Sequence, residues 1–304
     1  MSGESTQTIF VAIASYRDRE CQWTVKDLFD KAKHPDRIAV GICWQHILGN
    51  DDECFRIVTR PAQVRSVCFD ARESQGVCWA KGQAQALWEN EDCVLTIDSH
   101  MRFGPGWDVA LIEMLRQCPS AKAILSTYPA AYTPPDERKY STPHLVASHF
   151  DDNRILRFKG RLFEGDRPKR GAFIAGGFIF SSARLYQEVP WDPLVFFYGE
   201  EVSLSVRAWT NGWDVFSPHR CVIHHYYGRP DAAKHWDDNQ GWSARNLSSI
   251  KRILHLLEVG RSNDARITVD LDSKFGLGNT RTLTQFEAFS GVDLKHQRIR
   301  TEPF

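Results

Sequence analysis

The sequence has no long hydrophobic run and no recognisable targeting segment. None of its 304 residues belongs to an uninterrupted apolar stretch of about 18 residues, the minimum for a transmembrane helix. The N-terminus, MSGESTQT, is polar and lacks the charged-then-apolar pattern of a signal peptide. Both absences predict a soluble, cytoplasmic protein without a membrane anchor.

The sequence also lacks a net charge. Lys plus Arg and Asp plus Glu both number 38, which gives a formal net charge of zero. A dedicated nucleic-acid binder usually carries a basic excess or stripe, so this balance argues against nucleic acid as a partner. An anionic small molecule needs only a local positive site and is not excluded.

The eight cysteines are scattered without a CxxC pair, and the cytoplasmic character of the chain disfavours a disulfide framework. A free thiol inside an apolar run behaves as a small hydrophobic side chain. We expect this for the four cysteines in strand-like runs, Cys43, Cys68, Cys93 and Cys221.

Strand-like and helix-like segments alternate in the first half of the chain. Helical spacing follows Thr24 and Ser74, and a third helix is predicted to end near Pro119. Short runs rich in Val, Ile and Cys predict strands at residues 8–14, 37–44, 64–69, 93–97 and 122–126. Such alternation predicts an α/β fold with a mostly parallel sheet covered by helices.

The second half of the chain is less regular. Residues 127–170 are rich in Pro, Asp, Lys and Arg and are predicted to form long loops. A strand is predicted in residues 171–180, and helices near 247–257 and 284–289. The simplest organisation is one α/β domain over residues 1–229 and a helical extension over 230–304 packed on it.

Two strand-like segments end in residues that could bind a metal ion. Asp98 and His100 follow the run Cys93–Ile97, and on an extended segment both side chains would share one face. His224 and His225 end a second run, and alternation would place them on opposite faces, so one of the two should join Asp98 and His100. Carboxylate and imidazole ligands suit a divalent metal, although each motif alone could be a strand-end turn.

Three other motifs have a functional and a structural interpretation. Glu200 and Glu201 could hold a substrate hydroxyl, or could simply favour the positive end of a helix. Gly176-Gly177 inside an apolar strand indicates a close approach of backbone to a ligand or to another segment. Tyr16 and Arg17 leave the first strand, where they could contact a base and a phosphate or form a turn.

Taken in order, these motifs resemble nucleotide-sugar glycosyltransferases of the GT-A fold. The resemblance rests on FVAIASYRDREC, GVCWAKGQA, LTIDSHMRFGPGWD, FIAGGFIFSS, FFYGEEVSLSVRAW and CVIHHYYGR, and the tail FGLGNTRTLTQFEAFSGVD extends it. The chain is most similar to the cytoplasmic polypeptide-hydroxyproline N-acetylglucosaminyltransferases, glycosyltransferase family 60. It is more broadly similar to the polypeptide N-acetylgalactosaminyltransferases. Tyr198-Gly199-Glu200 departs from their Gly-Gly-Glu pattern at its first position.

The resemblance implies a GT-A mixed sheet and a retaining enzyme that moves N-acetylglucosamine from a UDP-sugar to a hydroxyl, such as a polypeptide hydroxyproline. It implies a Mn²⁺ ion bound by Asp98, His100 and His224, with His224 preferred over His225. Glu200 and Glu201 would be the catalytic acidic pair near sugar and acceptor. The implied donor-binding residues are Ser15, Tyr16, Arg17, Lys81, Asp98, Gly176 and Gly177.

The acceptor is not specified by the sequence. Its contacts are expected in the loops at residues 128–170 and 229–239, near His144, His149, His235 and Trp236. Two alternatives remain: a nucleotidyltransferase that forms an NDP-sugar, and a catalytically silent sugar-binding module. The first would ordinarily have a glycine-rich phosphate loop after the first strand, where this chain has Ser15-Tyr16-Arg17.

Overall fold

A computed structural model describes residues 6–300 as a mixed α/β fold. The strands are β1 (Ile9–Tyr16), β2 (Ile38–His46), β3 (Val64–Asp70), β4 (Cys93–Asp98), β5 (Met101–Phe103), β6 (Ala123–Ser126), β7 (Ala130–Thr133), β8 (Glu137–Arg138), β9 (Pro143–Phe150), β10 (Leu156–Leu162), β11 (Lys169–Gly171), β12 (Phe178–Ser182), β13 (Asp214–Ser217), β14 (Ile223–His225), β15 (Val292–Asp293) and β16 (Arg298–Ile299). The helices are α1 (Cys21–Lys31), α2 (Val77–Gln85), α3 (Trp107–Gln117), α4 (Arg184–Glu188), α5 (Glu200–Thr210), α6 (His235–Asp238), α7 (Trp242–Leu256), α8 (Ala265–Thr268) and α9 (Leu283–Ser290).

The main sheet has eight strands in the order β11-β13-β6-β12-β4-β1-β2-β3. Neighbours from β4 to β3 are parallel, whereas β12 runs antiparallel to both β4 and β6. The expected α/β class is therefore confirmed. The sheet is mixed, as the resemblance implied, rather than mostly parallel throughout.

The centre of the sheet is apolar on both faces because helices cover both. Ile9, Val11 and Ile13 of β1 pack in one core with residues of α1 and α3. The alternate residues Phe10 and Ala12 pack in another with residues of α2. Burial on both faces explains why β1 and β4 are almost continuously hydrophobic in sequence.

Residues 127–170 contain strands, so the prediction of long loops was wrong. β9 and β10 form an antiparallel hairpin, and β7 joins a second sheet of order β5-β14-β7-β8. Much of β10 is exposed. Its apolar residues Leu156, Phe158 and Leu162 alternate with three cations, and within a stretch rich in charge and proline this short alternation did not stand out.

Several predicted boundaries also shift. α1 begins three residues before Thr24, whose hydroxyl instead donates to the Ser99 backbone oxygen at 2.8 Å. α2 begins after Gly76 rather than at Ser74 and ends at Gln85. The C-terminal region contains the short pair β15–β16 beside its helices. No helix within residues 6–300 is long and apolar enough to span a membrane, and all eight cysteines, which lie in that range, are free thiols.

Candidate active site

Three side chains meet where β4 and β14 end. Asp98, His100 and His225 each offer a ligand atom, and these atoms lie within 4.8 Å of one another. The Nε2 atom of His225 is 3.3 Å from Oδ2 of Asp98. Within residues 6–300 no other group of three or more His, Cys, Asp or Glu residues is this compact. One carboxylate and two imidazoles suit a divalent transition metal.

The structure places His225, not His224, in this trio, which corrects the grouping with His224. β14 pairs antiparallel with β5 so that His225 lies opposite Met101, next to His100. The side chain of His224 faces the other side of the strand, where its ring lies 5.1 Å from that of Tyr140. The prediction that the two histidines face opposite ways is confirmed. The sequence-based preference for His224 chose the wrong face of β14 as the one that points towards the crevice.

Asp18 orients His100, a role that was not predicted from the sequence. Its Oδ2 atom lies 2.8 Å from Nδ1 of His100 and also accepts a hydrogen bond from Arg229 at 3.0 Å. Burial would raise the pKa of Asp18, but the His100 bond and the Arg229 charge bring it down to about 2. An ionised carboxylate only accepts, so Nδ1 of His100 carries the proton and Nε2 keeps a free lone pair.

The charge states of the trio suit metal binding. Burial lowers the pKa of His100 despite the opposing effect of Asp18, which keeps the imidazole neutral. Burial alone would raise the pKa of Asp98, but the bond from His225 and the positive charge of Lys81 hold it well below its usual range. A neutral imidazole and an ionised carboxylate are the forms that act as ligands.

Gly176 and Gly177 form a tight turn before β12 rather than lying inside a strand. A Cβ atom on Gly177 would lie 2.4 Å from Oδ2 of Asp98. A Cβ atom on Gly176 would lie 2.7 Å from Oε1 of Glu200 and 3.0 Å from Nζ of Lys81. The backbone does approach other groups closely at this turn, as predicted. Those groups are the side chains of Asp98, Glu200 and Lys81. Contact with a sugar stays a prediction.

Glu200 begins α5 and lies beside Lys81. Nζ of Lys81 is 3.9 Å from Oε1 of Glu200 and donates to the Gly176 backbone oxygen at 2.9 Å. Burial, with the negative charges of Glu201 and Asp98, raises the pKa of Glu200 to about 7 although Lys81 opposes the rise. Lys81 is almost fully buried and does not line the cavity described below. Its expected contact with phosphate stays a prediction.

Glu201 is held by two hydrogen bonds. It accepts one from the Gly176 backbone N–H at 2.9 Å and one from the Tyr128 hydroxyl at 2.7 Å. Both bonds favour its carboxylate, while burial raises its pKa. Glu201 therefore fixes the glycine turn, and Glu200 is the carboxyl with more freedom to meet a ligand.

A cavity of about 360 Å³ opens beside the trio. β1 and α2 form one wall, and the segment from Tyr227 to Trp236 forms the other. Aromatic rings line the cavity, and among them His235 stacks on Phe197 with ring centres 5.1 Å apart. The lining includes Tyr16, Gln45, Asp98, His100, Phe197, Arg229, His235 and Trp236.

Of Ser15, Tyr16 and Arg17, which the resemblance implied as donor-binding residues, only Tyr16 lines the cavity. Ser15 is fully buried under the strand end. Arg17 forms ion pairs with Asp51 at 2.6 Å and with Asp238 at 2.9 Å, so its guanidinium is already engaged by two carboxylates. In a strand that enters a crevice, alternate residues face the ligand, which accounts for Tyr16 but not its neighbours.

The residues suggested for the acceptor loops separate into two groups. His235 and Trp236 line the cavity. His144 is buried on β9, where Nδ1 lies 3.0 Å from the Ser217 hydroxyl, and His149 is exposed on the same strand. Neither histidine of β9 lines the cavity.

Sequence reasoning missed Asp18, Tyr128 and Arg229 as parts of the site. Their partners are 82, 73 and 211 positions away in the chain, so no local spacing could have paired them. Only Asp18 could have been recognised from the sequence, because it is an acid shortly after the first strand.

A cavity at the carboxyl ends of parallel strands, with a cluster of metal-ligand type at its edge, is the place where open α/β sheets bind their ligands. A family model described as "Glycosyltransferase (GlcNAc)" matches residues 8–60 and 55–296. The chain therefore belongs to this glycosyltransferase family. The search of curated proteins found no significant match.

The fold is also similar to a solved glycosyltransferase. The crystal structure of GalNAc-T7 with UDP, GalNAc and Mn²⁺ aligns with a TM-score of 0.61 at 12% identity. The alignment covers 93% of this chain and 54% of that one, so this chain spans about half the length of GalNAc-T7. This likeness supports the GT-A fold.

Proposed function

We propose that the protein transfers N-acetylglucosamine from UDP-N-acetylglucosamine to a hydroxyl group, and that the acceptor is a hydroxyproline of a polypeptide. The main support is the trio Asp98, His100 and His225 at the edge of the cavity. The description of the matched family favours N-acetylglucosamine as the sugar. The choice of hydroxyproline rests on the sequence resemblance alone.

The residues of the trio fit a divalent metal, and Mn²⁺ is the ion we propose. His100 keeps Nε2 available because Asp18 occupies Nδ1, the outer-shell arrangement usual for metal-bound histidine. Asp98, His100 and His225 would hold the ion. When bound, it would supply positive charge to a diphosphate leaving group.

The donor nucleoside would enter the cavity beside β1. Its aromatic lining, with Tyr16, Phe197 and His235, suits a planar base. Gln45 lies at the cavity wall with its amide; the amide oxygen already accepts from the Ser74 hydroxyl at 2.6 Å, and the amide NH₂ is the group that could donate to a ligand. The volume of about 360 Å³ is in the range of small-molecule pockets.

The sugar would lie between the trio and Glu200. Because its pKa is about 7, Glu200 can present a protonated carboxyl that donates to a sugar oxygen, or a carboxylate that accepts from a sugar hydroxyl. Lys81 balances the charges of Glu200 and Asp98 from behind the glycine turn. Glu201 holds the turn in place.

We propose that the anomeric configuration is retained by a front-face path. The bond between the anomeric carbon and the phosphate oxygen breaks, and the acceptor oxygen bonds to that carbon on the same face. The acceptor proton goes to the departing phosphate oxygen. In this scheme Glu200 and Glu201 orient groups and form no covalent bond with the sugar.

The decisive experiment measures UDP release from several UDP-sugars with Mn²⁺ and with chelator. We expect metal-dependent release that is fastest with UDP-N-acetylglucosamine, and a loss of about 100-fold or more in Asp98→Asn. Pyrophosphate formed from a sugar phosphate and UTP would instead support nucleotidyl transfer. Donor binding without turnover would support a silent sugar-binding module. Mass spectrometry of a hydroxyproline peptide then tests the acceptor.

A further inference from the structure

The two histidines of the trio are held in different ways. Nδ1 of His100 lies 2.8 Å from Oδ2 of Asp18, which is the kind of outer hydrogen bond that usually orients a metal-bound imidazole. Nδ1 of His225 is buried, and it has no hydrogen-bond partner among residues 6–300. The orientation of the His225 ring therefore depends on packing.

Two rings within residues 6–300 lie close to that of His225. The ring centre of His100 is 4.5 Å away, with the two planes at 72°. The ring centre of Tyr227 is closer, at 4.0 Å, with the planes at 48°. His100 belongs to the trio itself, whereas Tyr227 supports His225 from outside the trio.

The far end of Tyr227 is anchored. Its hydroxyl donates a hydrogen bond to the Pro129 backbone oxygen at 2.8 Å. Burial and two nearby carboxylates raise the pKa of Tyr227 to about 12, so the hydroxyl keeps its proton and can donate at neutral pH. Pro129 directly precedes β7, in which Ala131 lies opposite His225 in the parallel pairing with β14. Tyr227 is thus tied to the strand beside the histidine that it contacts.

The same short segment also reaches the acidic side of the site. Tyr128, the residue before Pro129, donates through its hydroxyl to Glu201 at 2.7 Å. Side chains from both sides of the site therefore meet at Tyr128-Pro129. The exposed fraction of Tyr227 is 54%, so its hydrogen bond to this segment, rather than burial, fixes its position.

We propose that Tyr227 is a positioning residue for the metal site, whose ring holds the imidazole of His225 towards Asp98. The proposal rests on the proposed metal site, and it gives Tyr227 no role as a ligand. Without the ring, the imidazole of His225 would turn more freely about its side-chain bonds. The metal would then have to fix that motion on binding, at a cost in affinity.

The other face of β14 offers a matched control. The ring of Tyr140 lies 5.1 Å from that of His224, and Tyr140 is 74% exposed. Each face of the strand therefore carries a tyrosine against a histidine, but only His225 belongs to the trio. Replacement of Tyr140 repeats the change of side chain without touching the support of a ligand.

The test is titration with Mn²⁺ in the absence of any sugar donor, with free Mn²⁺ followed by electron paramagnetic resonance. We expect Tyr227→Leu to bind Mn²⁺ about tenfold more weakly than the unmodified protein. Tyr227→Phe should lose less, because it keeps the ring and lacks only the hydrogen bond. Tyr140→Leu should bind Mn²⁺ normally. Both tyrosines are exposed enough for the leucine variants to fold, which circular dichroism checks.

A double variant separates positioning of His225 from a general structural effect. His225→Gln/Tyr227→Leu should bind Mn²⁺ as His225→Gln does, because the ring then has no imidazole ligand to hold. A general structural effect would instead weaken binding by the same factor in both backgrounds.

Three results would each overturn the proposal: normal Mn²⁺ affinity in Tyr227→Leu, an equal loss in Tyr140→Leu, or an undiminished effect of Tyr227→Leu in the His225→Gln background. An unmodified protein that binds no Mn²⁺ would overturn the metal site and this proposal together. If the unmodified protein binds Mn²⁺ but releases no UDP, the proposed function fails, and the Mn²⁺ titrations judge Tyr227 separately.

Discussion

At the scale of single residues, the two adjacent histidines of β14 provide a built-in comparison. His225 lies 3.3 Å from Asp98, while the ring of His224 faces Tyr140 on the other side of the strand. We expect His225→Gln to lower metal-dependent UDP release by about 100-fold or more, because an imidazole ligand is lost. His224→Gln should keep most of the activity.

The measurement is UDP release against Mn²⁺ concentration for both variants, with circular dichroism as a check of folding. Equal losses in two folded variants would contradict the assignment of His225. A loss of activity confined to His224→Gln would support His224 as the third metal ligand, as the sequence resemblance implied.

Gly177 offers a second test at this scale. A Cβ atom there would lie 2.4 Å from Oδ2 of Asp98, so Gly177→Ala must displace the carboxylate or the turn. We expect Mn²⁺ affinity to fall by about 10–100-fold, measured by calorimetric titration. Gly165→Ala is the control, because its Cβ would meet no atom closer than 3.8 Å. Normal Mn²⁺ affinity in Gly177→Ala would show that this contact does not position Asp98.

Individual residues were predictable where the chemistry lay in a short motif. Asp98 and His100 were found because an acid and an imidazole follow a buried strand. The choice between His224 and His225 depended on the register of β14 against β5, which is a long-range property. Asp18 was missed as the partner of His100 because 82 positions separate them.

At the scale of elements, the hairpin β9–β10 carries a titratable group inside the fold. Burial, with the charges of Lys169 and Arg161, lowers the pKa of His144 to about 4. An unfolded histidine has a pKa of about 6.5, so between these values the unfolded state binds more protons. The contribution of neutral His144 to the free energy of unfolding is complete above about pH 6.5 and is lost as the pH falls towards 4.

We therefore expect the free energy of unfolding of His144→Gln to depend less on pH between 6.5 and 4 than that of the unmodified protein. Urea unfolding at a series of pH values measures the difference, in chelator to remove metal effects. His149→Gln on the same strand is the control, because that side chain is exposed. Parallel pH profiles for His144→Gln and the unmodified protein would contradict the prediction.

Elements were well predicted in the first half of the chain and poorly in residues 127–170. β1 and β4 are buried on both faces, so their apolar runs stand out. β10 is largely exposed and charged, and its pairing with β9 rather than its composition makes it a strand. A single sequence contains little information about such pairing.

At the scale of the whole molecule, the donor cavity is closed by contacts between β1 and a segment more than 200 residues later. Asp238 accepts a hydrogen bond from the Tyr16 hydroxyl at 2.8 Å and pairs with Arg17 at 2.9 Å. We expect Asp238→Ala to raise the donor KM by about tenfold with a smaller change in kcat, because the wall loses its anchor.

Steady-state kinetics with UDP-N-acetylglucosamine measure both constants. Asp237→Ala is the control, since Asp237 is exposed and its carboxylate lies 3.3 Å from the nearby Lys234 backbone N–H. An unchanged KM in Asp238→Ala would mean that the wall holds without this contact.

The distance in sequence between Asp18 and Arg229, 211 positions, has a consequence for biosynthesis. A ribosome delivers β1 and Asp98 first, and His225, Arg229 and Asp238 more than 100 residues after Asp98. At a synthesis rate of roughly 5–20 residues per second, Asp18 and Asp98 are therefore present for several seconds before His225, Arg229 and Asp238 are made. During that interval Asp18 already has His100 but lacks Arg229, and Asp98 lacks His225, so the trio is complete only after the late segment has been made.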